Sequence, residues 1–333
     1  MKNTLNTNKT INLGIETLRM ILCFLVIAFH FSGKENRKKY KILNTTYHVP
    51  TFMIISFYYS YGLFSPLKID KIKTRFERIL IPYVVFPILM LSLRNEIYYQ
   101  LYKDLLLQYL TGYRIHLPLW YLLDLLILTI FYTIIFYIFK KNYVRILIKI
   151  LIISYLIQYY EINYIIFSDL TIHLRTLARI IDMLPISITG LILSSFKLLL
   201  ILKKNIIKNF FCFIIIFSFI YNYNFNIFGN FKGFLYSGIK NNLAAISLFS
   251  IFSLIPFEKI KNPKIQFLLR KISSYTGGIY YFHPIIHDLI ERKIKKAKEN
   301  RIYACFLNYI FGYFVCLLGS TIFKNNKLKY LFF

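Results

Sequence analysis

Residues 16–32 read ETLRMILCFLVIAFHFS, a segment long enough to cross a bilayer and apolar apart from a few side chains. Arg19 and His30 lie eleven residues apart in it. On an α-helix, eleven residues make three turns plus about 20°, so both side chains project from one stripe, about 16 Å apart. Glu16 lies one turn before Arg19. Because charge in lipid is costly, we expect this stripe to face the protein interior or a water-filled cavity.

Glu16, Arg19 and His30 form a polar stripe, which also has a purely structural interpretation. Glu16 and Arg19 could form an ion pair near the inner membrane interface, while His30 extends to the outer interface. In that case none of the three side chains would take part in chemistry. The spacing alone does not distinguish a functional stripe from a structural one.

The composition is that of an integral membrane protein. Hydrophobic residues make up 57% of the chain, the mean hydropathy is +0.53, and apolar runs recur from end to end. The net charge of +28 does not indicate nucleic acid, because the basic residues lie mainly in short loops between apolar runs. Such loops contact anionic lipid headgroups or a phosphorylated ligand, so we expect membrane lipids as partners and no nucleic acid.

Hydropathy predicts an all-α, polytopic bundle of about ten membrane-spanning helices. They are expected near residues 11–32, 48–65, 79–93, 117–139, 143–160, 177–196, 206–222, 239–257, 272–290 and 303–323. No hydrophilic stretch is long enough for a separate soluble domain, so residues 1–333 are predicted to form one transmembrane domain. A small excess of Lys and Arg on one side favours a cytoplasmic N-terminus. The expected location is the cell membrane, as a multi-pass protein.

Five short motifs follow one another in the order found in a known family. They are Arg19-x10-His30, the stretch HVPTFMIIS at residues 48–56, Arg75-x2-Arg78 followed by Pro82, HLPLW at residues 116–120, and SYTGGIYYFHP at residues 274–284. Together they resemble the acyltransferase-3 family of integral membrane O-acyltransferases, and the likeness covers nearly the whole chain. Phe57 departs from the family pattern, which usually has a glycine there. Such a glycine would permit close helix approach, which is therefore in doubt.

The resemblance implies an enzyme that moves an acyl group, usually acetyl, from cytoplasmic acyl-CoA to hydroxyls of a cell-surface or lipid-linked carbohydrate. Acetyl-CoA or another acyl-CoA is then a donor substrate, and no bound cofactor is expected. Acyl transfer to a hydroxyl needs a base, for which His30 is the candidate, and an acyl-histidine intermediate is the alternative. Arg19 is the second catalytic candidate, holding the donor or polarising its carbonyl. Other envelope-polysaccharide assembly proteins are further expected partners.

Two more groups of residues are predicted to contact the substrates. Arg75 and Arg78, one turn apart on a helix, suit a phosphate group of the donor, although arginines at the inner interface also satisfy the positive-inside rule. Asp124 lies inside a span, where it either belongs to a site or pairs with a basic residue of a neighbouring helix. Candidates on the acceptor side are His48, His116, Trp120, Asp124, Arg175, Arg179 and His283. The spacing of His283 and His287 is too weak a signal to predict a metal site.

A transporter or flippase for a polysaccharide or lipid precursor is the alternative function. Charged residues inside the membrane also mark transport pathways. Transporters often contain internal repeats with matching broken helices, whereas the two halves of this chain show no convincing similarity. The acyltransferase is therefore the predicted function.

Overall fold

The computed structural model describes residues 12–32, 46–94, 109, 119–140, 142–160, 172–222, 238–257, 260, 262–294 and 299–333. Within these ranges the chain is almost entirely helical and contains no β-strand, which confirms the all-α class. The helices are α1 (Leu13–Phe31), α2 (His48–Phe64), α3 (Ile69–Arg94), α4 (Trp120–Phe139), α5 (Tyr143–Tyr159), α6 (Ile172–Ser195), α7 (Leu198–Lys204), α8 (Ile206–Asn222), α9 (Ile239–Leu254), α10 (Pro263–Ser274), α11 (Thr276–Lys293) and α12 (Arg301–Ile322). A 3₁₀-helix follows at Lys327–Leu331.

Four helices in the described part of the chain are long and apolar enough to cross a bilayer. They are α1, α4, Thr176–Ser195 within α6, and α12, and they coincide with four predicted spans. The prediction of ten spans is not confirmed, because other predicted segments form shorter apolar helices, such as α8 and α9, or carry more charge. Large apolar side chains, among them Ile134, Ile138 and Phe314, are exposed on α4 and α12. This is the pattern of helices that face lipid.

Helix α1 lies at the centre of the described structure, where it contacts α2, α9, α10, α11 and α12. The side-chain oxygen of Asn12 caps it by accepting hydrogen bonds from the backbone N–H groups of Gly14 (2.9 Å) and Ile15 (3.2 Å). The Asn12 amide donates to the carbonyl of Ser253 in α9 at 3.0 Å. Gly14 has no room for a Cβ beside the Phe252 carbonyl. The start of α1 is thereby fixed against the end of α9.

The most extensive contact between two helices joins α2 and α6. It depends on Gly190 of α6, where a Cβ would lie 2.6 Å from the carbonyl oxygen of Ile54 in α2. The close helix approach that Phe57 put in doubt is therefore made elsewhere on α2, with the glycine on the partner helix. Phe57 itself is fully buried, and its ring lies 5.1 Å from the ring of Tyr132 in α4.

A break at Tyr275 separates α10 from α11. The segment predicted as one span over residues 272–290 is thus divided, and its second part starts at Thr276. Pro263 occupies the first turn of α10, where its missing N–H costs nothing, and Asn262 caps that turn. The break places Thr276 and the following Gly277 at the start of a helix that packs against α1.

We predict that Gly190→Ala lowers the free energy of unfolding by about 1–3 kcal/mol, because the added methyl group overlaps backbone atoms that cannot rotate away. The measurement is the thermal unfolding midpoint of the protein in detergent. Gly312→Ala is the matched control, since a Cβ there would meet the side chain of Ile279 at 3.1 Å, which can shift. Equal midpoints for the two variants would contradict the role of Gly190.

Candidate functional site

A cavity of about 340 Å³ lies among α1, α2, α3, α4 and α11. Three arginines, Arg19, Arg75 and Arg78, line it, and we call it the arginine cavity. The remaining polar lining residues are Ser56, Tyr59, Tyr121, Thr276, Tyr280 and Tyr281. None of the described lining residues is acidic. A cavity with three cations and no carboxylate concentrates positive potential and is suited to an anion.

Arg75 is held by two other helices of the cavity wall. Its Nε donates a hydrogen bond to the Thr129 hydroxyl of α4 at 3.2 Å, and an Nη donates to the Ser56 hydroxyl of α2 at 2.9 Å. The guanidinium lies over the ring of Phe57, 5.3 Å from its centroid. The aromatic residue that departs from the family pattern therefore contributes to the orientation of Arg75. Neither Ser56 nor Phe57 is predicted from the sequence as a site residue.

Arg78 lies one helical turn after Arg75 on α3, as predicted, because α3 already begins at Ile69. Arg78 is more exposed than Arg75, and both side chains line the arginine cavity. Its guanidinium lies over the ring of Tyr330, 5.5 Å from the centroid. The helical spacing is thus confirmed, whereas phosphate binding by the two arginines stays a prediction.

Arg19 forms the ion pair with Glu16 that the sequence offered as the structural alternative, and it also contacts the start of α11. One Nη is 3.0 Å from the Glu16 carboxylate, and the other donates to the Thr276 hydroxyl at 3.2 Å. Ser273 donates to the same Glu16 oxygen. The Glu16 side chain is only 9% exposed, whereas that of Arg19 is 28% exposed and lines the arginine cavity. Arg19 is therefore paired with a carboxylate on one side and available to a ligand on the other.

His30, at the other end of the polar stripe, is exposed and stacks on His283 of α11. The two ring centroids are 5.8 Å apart, with 25° between the ring planes. Both residues are predicted from the sequence as site residues, but their contact is not. We call them the histidine pair.

His283 is buried, and its own helix orients its ring. Nδ1 lies 2.5 Å from the backbone carbonyl of Tyr280, and Nε2 has no hydrogen-bond partner among the described residues. An imidazole that donates from Nδ1 keeps the lone pair of Nε2 for accepting a proton. Asn308 of α12 donates to the His283 carbonyl at 2.8 Å, which ties this turn of α11 to α12.

Tyr280 connects the arginine cavity to the histidine pair. It lines the cavity, and its ring centroid is 5.8 Å from that of His283. Tyr280, Tyr281 and Tyr121 are not predicted from the sequence as site residues, although Tyr280 and Tyr281 lie inside the motif that contains His283. The arginine cavity and the histidine pair therefore adjoin along the face of α1 that carries the polar stripe.

Asp124 and Arg179 form a buried ion pair between α4 and α6. Arg179 donates to the two carboxylate oxygens at 2.8 Å from Nη2 and 3.0 Å from Nε, and the side chains are 0% and 1% exposed. The Arg179 guanidinium also lies 5.3 Å from the centroid of the Trp120 ring. Asp124 thus has the basic partner on a neighbouring helix that the sequence analysis offered as the alternative. An acceptor-binding role for these three residues stays a prediction.

The remaining acceptor-side candidates are placed only in part. His48 begins α2 and is buried, with its ring 5.4 Å from that of Phe29, the neighbour of His30. Arg175 lies in α6. His116 lies outside the described residues. Among the described candidates, His283 contacts the polar stripe, and Arg179 contacts both Asp124 and Trp120.

Comparison with known proteins supports the resemblance seen in the motifs. A model of the acyltransferase-3 family, described as an acyltransferase domain, matches residues 12–324, nearly the whole chain. The match includes all residues of the arginine cavity and both members of the histidine pair. No curated protein and no solved structure matches the chain.

We predict that Arg19→Lys preserves the fold but lowers acyl transfer about tenfold or more, because lysine keeps the charge beside Glu16 and loses the planar fork of N–H donors. Glu16→Gln should instead lower the thermal midpoint, since it removes the charge that compensates Arg19. The two variants are compared for transfer rate, membrane level and unfolding temperature. A fully active Arg19→Lys protein would reduce Arg19 to a structural partner of Glu16.

We predict that Asp124→Ala destabilises the protein by about 3–5 kcal/mol, because Arg179 would keep a buried charge without its carboxylate. The double variant Asp124→Leu with Arg179→Met replaces the pair by apolar side chains and should regain most of the thermal midpoint. If the pair acts only in helix packing, this stable double variant retains acyl transfer, measured on the same preparation. Lost transfer in a double variant of wild-type stability would show that the ion pair does more than join α4 to α6.

Proposed function

The chain belongs to the acyltransferase-3 family, and on this basis we propose that it is a membrane-bound O-acyltransferase that moves an acetyl group from acetyl-CoA to a carbohydrate hydroxyl. The acceptor class is a cell-surface or lipid-linked carbohydrate. The observation that carries the donor half of this proposal is the arginine cavity, with Arg19, Arg75 and Arg78 and no acidic residue in its described lining.

Coenzyme A is an anion because of its phosphate groups, and guanidinium groups bind phosphate oxygens through paired N–H donors. We assign these phosphates to Arg75 and Arg78, which lie one turn apart on α3. Arg75 is already oriented by Ser56 and Thr129, so little side-chain freedom is lost when it binds an anion. The thioester arm then extends past Arg19 and Tyr280.

The thioester meets the acceptor at the histidine pair. His30 takes the proton of the carbohydrate hydroxyl as the oxygen attacks the thioester carbonyl carbon. The new C–O bond forms, the C–S bond breaks, and the departing thiolate recovers the proton from His30. Transfer of the acyl group first to a His30 nitrogen and then to the hydroxyl has the same overall balance. The buried Nε2 of His283 stands beside His30 as a second proton acceptor.

The two ends of the polar stripe suit substrates from opposite sides of the membrane. Along α1, Arg19 and His30 are separated by about 16 Å, roughly half the thickness of the hydrocarbon core. We therefore propose that acyl-CoA enters from the cytoplasm and that the carbohydrate arrives from the other face of a bacterial cytoplasmic membrane, in a multi-pass protein. Envelope-polysaccharide assembly proteins would deliver that carbohydrate.

We predict that His30→Ala lowers acyl transfer by about 10²–10⁴-fold, because the base for the hydroxyl proton is lost. Coenzyme A affinity and the thermal midpoint should stay close to wild type, since His30 is exposed and does not line the arginine cavity. The assay measures free thiol released from acetyl-CoA by the purified protein. His287→Gln, which changes a histidine one turn beyond His283, is the matched control and should retain transfer.

The cellular measurement is the content of base-labile acyl groups in surface glycans of wild-type and deletion cells. Complementation with the wild-type gene should restore these esters, and complementation with His30→Ala should not. Equal ester content in wild-type and deletion cells would favour the transporter function instead. Full activity of His30→Ala would exclude His30 as the base and as an acyl carrier.

A further inference from the structure

Residues 327–333, KLKYLFF, comprise the 3₁₀-helix Lys327–Leu331 followed by Phe332 and Phe333. We call them the 327–333 segment. It lies outside residues 12–324, the part that matches the family model, so its role does not follow from the family. It nevertheless contacts α3 and α11, two helices that line the arginine cavity.

On the α3 side, the segment contacts two consecutive residues, Glu77 and Arg78. Lys327 Nζ is 2.7 Å from a carboxylate oxygen of Glu77, and the ring of Tyr330 lies 5.5 Å from the Arg78 guanidinium. The hydrogen bond from Lys327 lowers the pKa of Glu77. The exposed Lys327–Glu77 ion pair adds little stability by itself. It nevertheless joins the segment to α3, where the Tyr330 ring lies beside Arg78 of the arginine cavity.

On the α11 side, the backbone of the segment packs directly on two glycines. A Cβ at Gly277 would lie 2.5 Å from the Phe333 carbonyl oxygen, and one at Gly278 would lie 2.7 Å from the Phe332 carbonyl oxygen. The Phe332 ring stacks on that of Phe282 with 5.4 Å between centroids. Because Gly277 lines the arginine cavity, the segment supports this wall from behind.

Arg75 and Arg78 of α3 differ in how their N–H donors are used. Arg75 gives two hydrogen bonds to side chains of the cavity wall. No described residue accepts a hydrogen bond from Arg78, whose contact is with the face of the Tyr330 ring. An aromatic face attracts the cation without occupying its N–H groups. Arg78 is thus oriented while its donors remain available to a ligand.

We propose that the 327–333 segment completes the donor site and that Tyr330 is a positioning residue, which holds the Arg78 guanidinium towards a phosphate group of coenzyme A. This inference rests on the proposed function. Removal of the ring leaves Arg78 charged but free to rotate away, so the affinity for coenzyme A falls. Removal of the hydroxyl alone leaves the aromatic face in place.

The test uses the full chain purified in detergent, as wild type, Tyr330→Ala and Tyr330→Phe. Titration calorimetry gives the Kd for coenzyme A, and thiol release gives kcat and KM for acetyl-CoA. We expect Tyr330→Ala to raise Kd and KM about three- to tenfold with kcat largely unchanged, and Tyr330→Phe to behave like wild type. Lys324→Ala, an exposed lysine just before the segment, is the control and should also match wild type.

The results separate this inference from the proposed function. If wild type binds coenzyme A and Tyr330→Ala binds it equally well, Tyr330 has no positioning role while the donor assignment stands. If Tyr330→Phe is as weak as Tyr330→Ala, the aromatic contact is not the cause. A reduced kcat together with a reduced thermal midpoint in Tyr330→Ala would indicate a structural role instead. If wild type itself does not bind coenzyme A, the proposed function fails and this inference with it.

Discussion

The arrangement of the site depends on how the Arg19 charge is accommodated inside an apolar bundle. The Glu16 carboxylate accepts from Arg19 at 3.0 Å and also from Ser273, while Arg19 donates to Thr276. These bonds join the first two turns of α1 to the junction of α10 and α11. Because an uncompensated charge in this environment would be costly, α1 and α11 must pack with these faces together. The same packing brings His30 to His283, further along both helices.

The charged side chains inside the helix bundle differ in how far they are exposed to solvent. Asp124 and Arg179 are 0% and 1% exposed and satisfy each other between α4 and α6. Arg19 is 28% exposed, and its carboxylate partner leaves one face of the guanidinium on the cavity. A fully desolvated pair contributes to helix packing, whereas a charge that still meets water can exchange that water for a ligand. On this ground we assign ligand contact to Arg19 and a packing role to the Asp124–Arg179 pair.

Phe57 departs from the family pattern, and a neighbouring helix compensates for it. Phe57 replaces a glycine, and the close approach of α2 to another helix is made through Gly190 of α6 instead. The ring of Phe57 then provides a face for Arg75, just as Tyr330 provides one for Arg78. Arg75 and Arg78 therefore both lie on aromatic rings, which orient a guanidinium and leave its edge for hydrogen bonds. One of these rings comes from a helix inside the family match and the other from the 327–333 segment.

The sequence by itself determined the features that follow from helical periodicity and composition: the all-α membrane class, the polar stripe of α1, and the spacing of Arg75 and Arg78 on one turn. These depend on residues close together in the chain, and a regular helix converts such spacing directly into geometry. Only the tertiary structure decided that Arg179 is the partner of Asp124, that Ser273 shares the Glu16 carboxylate, and that Tyr330 faces Arg78. These partners are separated by 55 residues in the first case and 257 in the second. Local periodicity cannot specify such contacts, because they arise only when the helices are packed and the cost of buried charge selects which faces meet.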